Sequence, residues 1–294
     1  MKRAILIPIL FSFCIPLFAQ SIQGVVNHYL EVDSVFNDTI RVTSDPSVNF
    51  LVGDFVILIQ MTGATLLEGA NHPRNHAAGL DQRRNCGKYE FLQIEDIITP
   101  ENYIVFTSYL LNDYNNDEKI QLVRVVTGDI LTVGPTVQAY PWDGLMGGIV
   151  ALMAFDELVL NDNINVSSMG FRGADPEDDY TGGCRYNDVL WDTCYFDSDQ
   201  LNRAGDKGEG IITNSFTLTK GAGHALNGGG GGNGFYSGGA GGSSYGYGGG
   251  GGHQVKSCGS IPHLVTAQGG FTANEFYENN RIIMGGGGGS GTEN

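Results

Sequence analysis

Positive charge is scarce in this chain. Sixteen lysines and arginines face 32 aspartates and glutamates, for a net charge of −16. A nucleic-acid binder needs a basic face or stripe. No Lys/Arg cluster occurs, so nucleic acid is excluded as a partner and anionic membranes are disfavoured. Long apolar runs are missing after the first residues, so no membrane span is expected. Helical periodicity is missing too, since no stretch holds apolar residues at helical spacing for three turns. The chain has no G-x-S-x-G nucleophile elbow. It has no phosphate loop either: such a loop needs Gly-Lys-Ser/Thr, but Gly208 follows Lys207 and Gly221 follows Lys220. No catalytic residue is assigned, and a non-enzymatic protein is expected. The alternative class is a solenoid-type carbohydrate-active enzyme. It would set Arg172, Arg185 or Lys207 against the acidic run Asp175–Asp179. A ligand-free structural spacer is the third reading.

What is present begins with an export signal. Lys2 and Arg3 precede an apolar segment, Ile5–Phe18, broken by Pro8 and Pro16. Leu17-Phe18-Ala19 offers a cleavage site that leaves Gln20 as the new N-terminus. Residues 1–19 are read as a signal peptide, and the protein as secreted or held at the outer cell surface. Of five cysteines, Cys14 lies within that signal. The other four are Cys86, Cys184, Cys194 and Cys258. An even number in an exported chain points to disulfides. Cys184 and Cys194 flank one acidic loop and are the expected pair, which leaves Cys86 with Cys258.

The fold class is all-β. Short β-branched and aromatic runs recur between Asp, Asn, Gly and Pro: 39–42, 55–59, 89–94, 103–106 and 120–125. Residues 20–128 are read as a small β-barrel or sandwich. From Ile130 the rhythm tightens, with runs at 130–133, 148–154, 157–160 and 163–166. This is the spacing of solenoid rungs. Residues 129–294 are therefore read as a short β-solenoid joined to glycine-rich sequence, with an acidic insertion at 175–199. Further strand-like runs occur at 211–213, 216–219 and 282–284.

Two acidic stretches are calcium candidates. Asp113, Asn115 and Asp117 place oxygens at alternate positions, but Glu118 stands where a calcium loop has glycine. Asp175, Glu177, Asp178 and Asp179 form the second. His72 and His76 have a metal-ligand spacing, yet Pro73 lies between them in loop-like sequence. Trp142, Trp191, Tyr186 and Tyr195 are candidates for stacking on sugar rings. The expected partner is an extracellular glycan or matrix component.

Several phrases together resemble the N-terminal region of large secreted surface proteins of Bacteroidetes. The first phrases are 52–64 (VGDFVILIQMTGA), 87–91 (GKYEF) and 121–125 (QLVRV). Then come Pro141-Trp142-Asp143-Gly144 with Gly147-Gly148, Gly170-Phe171-Arg172-Gly173, 205–210 (GDKGEG), and Met284 before its glycine tract. The resemblance implies cell-surface placement, an adhesive role and no catalytic residues. Many such proteins continue into repeats and a type IX secretion sorting domain. This chain stops at Asn294 without them, so a fragment of a larger surface protein is expected.

Three glycine tracts mark the last third: Gly228–Gly232, Gly248–Gly252 and Gly285–Gly289. A flexible tether mixes glycine with serine and lacks aromatics. These tracts are nearly pure, and Phe235, Tyr236, Tyr245 and Tyr247 stand between the first two. Glycine can run as polyproline-II helices. Without Cβ atoms such helices can approach until their peptide groups pair. The glycine-rich region of some receptor-kinase ectodomains looks similar. An ordered bundle is expected, with the three tracts side by side and the aromatics covering it.

Overall fold

The computed structural model describes residues 19–67, 80–176, 194–195, 204–232, 237–252 and 266–292. The expected signal segment before Ala19 lies outside these residues. The described chain is nearly all β. Its strands are β1 (Ala19–Ile22), β2 (Tyr29–Val35), β3 (Thr39–Val42), β4 (Phe55–Gln60), β5 (Thr65–Leu66) and β6 (Leu80–Gln82). Then come β7 (Tyr89–Ile98), β8 (Tyr103–Phe106), β9 (Ile120–Arg124), β10 (Val126–Val133) and β11 (Leu152–Leu160). One short helix, α1 (Asn274–Glu278), follows late in the chain.

Six strands close a barrel in the order β2-β3-β8-β7-β4-β9, every pair antiparallel. Alternation explains its filling. Along a strand, side chains point to opposite faces in turn. Leu30, Val32, Ile40, Val42, Val56, Leu58, Leu92, Ile94, Ile104 and Leu122 point inward and form one core with Phe50 and Phe106. Strand β4 departs from alternation because both of its faces are buried. Val56 and Leu58 enter the barrel, while Ile57 and Ile59 face a second core outside it. That second core holds Met61, Val123, Trp142, Phe171, Leu226, Phe276, Ile283 and Met284. It binds the β4/β9 wall to the glycine-rich part.

A separate parallel sheet runs β1-β10-β11. Ala19–Ile22 lies in register with Ile130–Val133, which lies in register with Glu157–Leu160. Parallel bridges continue the stack at Val25–Gln138 and Val137–Ile164. The expected runs at 148–154 and 157–160 meet in one strand, β11, which begins only at Leu152. The runs at 211–213, 216–219 and 282–284 form no strand. Ile212 instead makes an isolated parallel bridge with Ala64 after β4, Phe216 N–H turns back to Thr213 O, and Ile282 N–H donates to Gly87 O.

The glycine tracts are ordered. The second tract, however, does not lie beside the other two. Gly228–Gly232 and Gly285–Gly289 pair directly. Gly229 N–H donates to Gly287 O at 2.9 Å, and three residues on Gly232 N–H donates to Ser290 O at 2.8 Å. The same period of three appears toward other neighbours. Gly208 and Gly205 donate to Gly229 and Gly232. Phe171 and Ala174 donate to Gly285 and Gly288. Gly286 and Gly289 donate to Ser243 and Ala240. Bonds repeating every three residues in different directions are the mark of polyproline-II helices, which have three residues per turn and no internal hydrogen bonds. The tract Gly248–Gly252 sits one row out. Gly248 and Gly251 donate to Gly270 and Ala267, and Gly241 N–H donates to Gly249 O.

Close approach explains the composition. A Cβ on Gly287 would lie 1.7 Å from Arg172 O, one on Gly231 1.9 Å from Gly205 O, and one on Gly286 1.9 Å from Asn227 O. Asn227 locks the bundle from within. Its side-chain oxygen accepts from Ile211 N, and its amide donates to Met284 O at 2.9 Å.

Candidate functional site

Polar chemistry concentrates where the barrel meets the bundle. A cleft of about 190 Å³ opens there, lined by Thr62, Lys119, Lys207, Glu209, Thr213 and Asn214 among others. Glu209 is its hub. One carboxylate oxygen accepts Lys119 Nζ at 2.6 Å. The other accepts Trp142 Nε1 at 3.0 Å and both the backbone N and Nε of Arg172 at 3.2 and 3.1 Å. Burial raises the carboxyl pKa, but the hydrogen bond and charge of Lys119 and the two Arg172 bonds outweigh it, so the net shift is downward.

Glu118 forms a second node and is itself buried. It accepts from Thr62 Oγ1 at 2.8 Å, from Asn214 N at 3.0 Å and from Thr213 Oγ1. Thr62 belongs to the segment after β4, while Thr213 and Asn214 belong to the glycine-rich part. The node therefore sews the two together. Lys207 is the third. Its ammonium donates to the carbonyls of Cys194, Gly221 and Gly223 at 2.5–2.7 Å and lies 4.5 Å from the Tyr195 ring centroid. Burial pushes its pKa well below the usual lysine value. Against that, three acceptors match the three N–H groups of a charged ammonium.

Local sequence positions these groups. In a three-residue helix, residues three apart share a direction. Gly205 and Gly208 face the Gly229–Gly232 row, and Asp206 and Glu209 accept backbone bonds from Ser290 and Gly287. Lys207 is turned the third way, toward Tyr195. Gln121 on β9 clamps the neighbouring turn, since its side chain both accepts from and donates to the backbone of Gly147.

No family description and no curated protein matches the sequence. Among solved structures, the tailspike protein gp49 from Pseudomonas phage LKA1 is similar over 40% of this chain and 19% of that one. The identity is 15% and the TM-score 0.22. A likeness at that level carries no argument about this chain.

Of the residues expected to stack on sugars, Trp142 is 3% exposed, edge-on to Phe171, and bonded to Glu209. Tyr195 is buried over Lys207, with its hydroxyl on His224 O. Neither has a free face, because each closes a core. Trp191 and Tyr186 lie outside the described residues. So do Glu177, Asp178 and Asp179, and also His72 and His76, while Asp175 is exposed. In the Asp113–Asp117 turn, the Asn115 side chain accepts Asp117 N and the Asn115 backbone N donates to Gln60 Oε1. Asp113 and Asp117 point into solvent. Among the described residues, no three His, Cys, Asp or Glu side chains come together as a metal site.

The cysteine expectation is corrected in part. Cys86 is a free, fully buried thiol that donates to Met61 O at 3.3 Å, not half of a disulfide with Cys258. The second core encloses it. Cys184 and Cys258 lie outside the described residues, and Cys194 is buried beside Tyr195.

Sequence reasoning does not name Lys119, takes Glu118 only as a departure from a calcium loop, and holds Glu209 only within the 205–210 phrase. The available signal was the 205–210 phrase, where Gly205 and Gly208 are three apart and Asp206, Lys207 and Glu209 stand between and beside them.

Proposed function

We propose that this chain is a non-enzymatic, exported surface module of adhesin-like character. In this reading the barrel, a short solenoid of three parallel rungs and the glycine bundle form one stiff body that presents a binding face. One observation carries it: the charged groups at the cleft between barrel and bundle, Lys119, Lys207 and Glu209, are all spent on holding the parts together. A general acid or base must offer a proton or lone pair to a substrate. Glu209 instead accepts four hydrogen bonds from three residues, and Lys207 gives its donors to three carbonyls. Such a junction resists shear, which suits a module exposed to mechanical load outside the cell.

Export fits the same picture. Processing after Ala19 leaves Gln20–Ile22 paired with Leu131–Val133. The test is expression of the whole chain in a Gram-negative host, followed by N-terminal mass analysis and protease shaving of intact cells. The expected result is a chain starting at Gln20 and accessible from outside. An unprocessed chain held in the cytoplasm overturns the reading. Cleavage of an acidic polysaccharide by the purified protein would replace it with the enzyme class.

A further inference from the structure

The outermost row of the bundle carries an unusual surface. Tyr245 and Tyr247 are 70% and 74% exposed, the most open aromatic rings among the described residues of the glycine-rich part. They stand out from the bundle rather than covering it. Yet each is braced. The Tyr245 ring stacks on Tyr277 with centroids 6.2 Å apart, and the Tyr277 hydroxyl donates to Ile283 O at 3.3 Å. Tyr247 meets Phe271 edge-on at 5.9 Å, and Phe271 is fixed by its backbone N–H on Leu226 O. Thr272 Oγ1 donates to Tyr245 O at 2.5 Å, holding the backbone between the rings. Long exposed side chains normally lose rotamer freedom when they bind. These rings have lost much of it already, which lowers the cost of binding.

Beside the rings runs open glycine backbone. Gly249, Gly250 and Gly252 are exposed, and a Cβ added at Gly246 or Gly249 would meet nothing within 4 Å. Peptide donors and acceptors therefore reach the surface with no side chain to shield them. The two features together describe the complement of a ligand. Flat apolar rings want a flat apolar face, and bare peptide groups want hydroxyls that both donate and accept. A pyranose has C–H groups on one face and hydroxyls around its rim. Charge narrows the class: residues 237–252 and 266–280 contain no Lys or Arg, but do contain Glu275 and Glu278. Within these described residues an anionic ligand would find no counter-charge.

We propose that the face formed by Tyr245, Tyr247, Tyr277 and Gly249–Gly250 binds a neutral glycan chain. The sugar stacks on Tyr245 and Tyr247 and shares hydroxyl hydrogen bonds with the open peptide groups. This rests on the surface-module reading and adds to it the site and the ligand class.

The test is calorimetric titration of the full processed chain with four neutral hexasaccharides (cellohexaose, laminarihexaose, chitohexaose and mannohexaose) and with hexagalacturonate. At least one neutral probe should bind the wild type in the micromolar to low millimolar range, with hexagalacturonate at least tenfold weaker. Tyr247→Ala and Tyr245→Ala should each weaken binding about tenfold, and the double variant should abolish it. Tyr247→Trp should retain it. Both tyrosines are exposed, so the thermal midpoint should not move, which separates lost binding from lost fold. Absence of binding by every neutral probe overturns the proposal, as does equal binding of hexagalacturonate or undiminished binding by the double variant. Binding of fibronectin or collagen that the double variant loses, without glycan binding, would reassign the face to a protein partner. None of these failures touches export, which the shaving experiment reads independently.

Discussion

Replacing Gly231 by alanine adds one methyl group to the bundle, and the structure says what it strikes. The new Cβ would sit 1.9 Å from Gly205 O and 2.3 Å from Gly205 C. Ordinary contact begins at 3.4 Å, so the backbone must retreat by about 1.5 Å. That backbone is not free to move. Gly205 O accepts from Gly221 N at 3.0 Å, Gly205 N donates to Gly232 O at 2.8 Å, and Gly231 N donates to Gly221 O at 2.9 Å. Losing two of these costs ~2 kcal/mol at a net ~1 kcal/mol each. Overpacking adds about 1–3 kcal/mol. The expected destabilisation is about 3–5 kcal/mol, a large share of the roughly 5–15 kcal/mol that holds a domain folded. Gly249→Ala is the control. It adds the same methyl in open space, and its backbone angle is not left-handed. Its expected effect is between zero and ~1 kcal/mol of stabilisation, through a less flexible unfolded chain. Urea melts followed by tryptophan fluorescence compare the two, since Trp142, one of two tryptophans, packs in the core that the bundle shares. Amide exchange at 228–232 should show protection in the wild type and in Gly249→Ala, and loss of it in Gly231→Ala. If both variants melt together, close glycine packing does not hold this region.

Three further outcomes follow from the junction and the buried groups. Glu209→Ala leaves the mostly buried Lys119 and the Trp142 N–H without their acceptor, and should destabilise by about 3 kcal/mol or more in a urea melt; Lys119→Met combined with Glu209→Gln should cost less than the sum of the single changes. His224 is buried with no partner for Nδ1, and burial followed by the Lys207 charge lowers its pKa to about 4. The unfolded chain therefore binds a proton first, so stability is complete above about pH 6.5 and falls as pH drops through 4, by ~3 kcal/mol in all; His224→Phe should flatten that slope in melts taken between pH 7 and 4. Cys86, whose thiol burial pushes to a higher pKa, should resist a thiol reagent in the native protein and react only on unfolding; rapid native labelling at Cys86 would show that the second core opens.

The barrel strands were the easiest part to read. β3, β4, β7, β8 and β9 all lie where β-branched runs stand between turn residues, because a strand's alternation is written in neighbouring positions. The continuous run 55–59 even hinted that both faces are covered. The runs at 211–213 and 282–284 misled for a physical reason. A β-branched triplet forms a strand only where a partner segment runs alongside it: Ile212 finds a single bridge at Ala64, and Ile282 a single bond to Gly87 O. Trp142 and Tyr195 misled likewise. An aromatic ring in sequence carries no mark of exposure, and both rings are buried by residues far away in the chain: Phe171 and Glu209 around one, Lys207 and Phe216 around the other. The junction was the least visible. Glu118 meets Thr213 and Asn214 across nearly a hundred residues of chain, and no local pattern announces that.

The amino-acid sequence alone determined the all-β character and the acidic surface. It also required glycine tracts that either hang loose or pack without side chains, because residue type and short-range spacing carry those properties. Tertiary structure decided which tracts touch. Gly228–Gly232 lies against Gly285–Gly289, while Gly248–Gly252 forms an outer row with Tyr245 and Tyr247 beside it. Glycine has no side chain with which to encode a neighbour. Its partners are chosen by the backbone hydrogen bonds that remain available once the barrel, the Glu209 junction and Asn227 have set the rows in place.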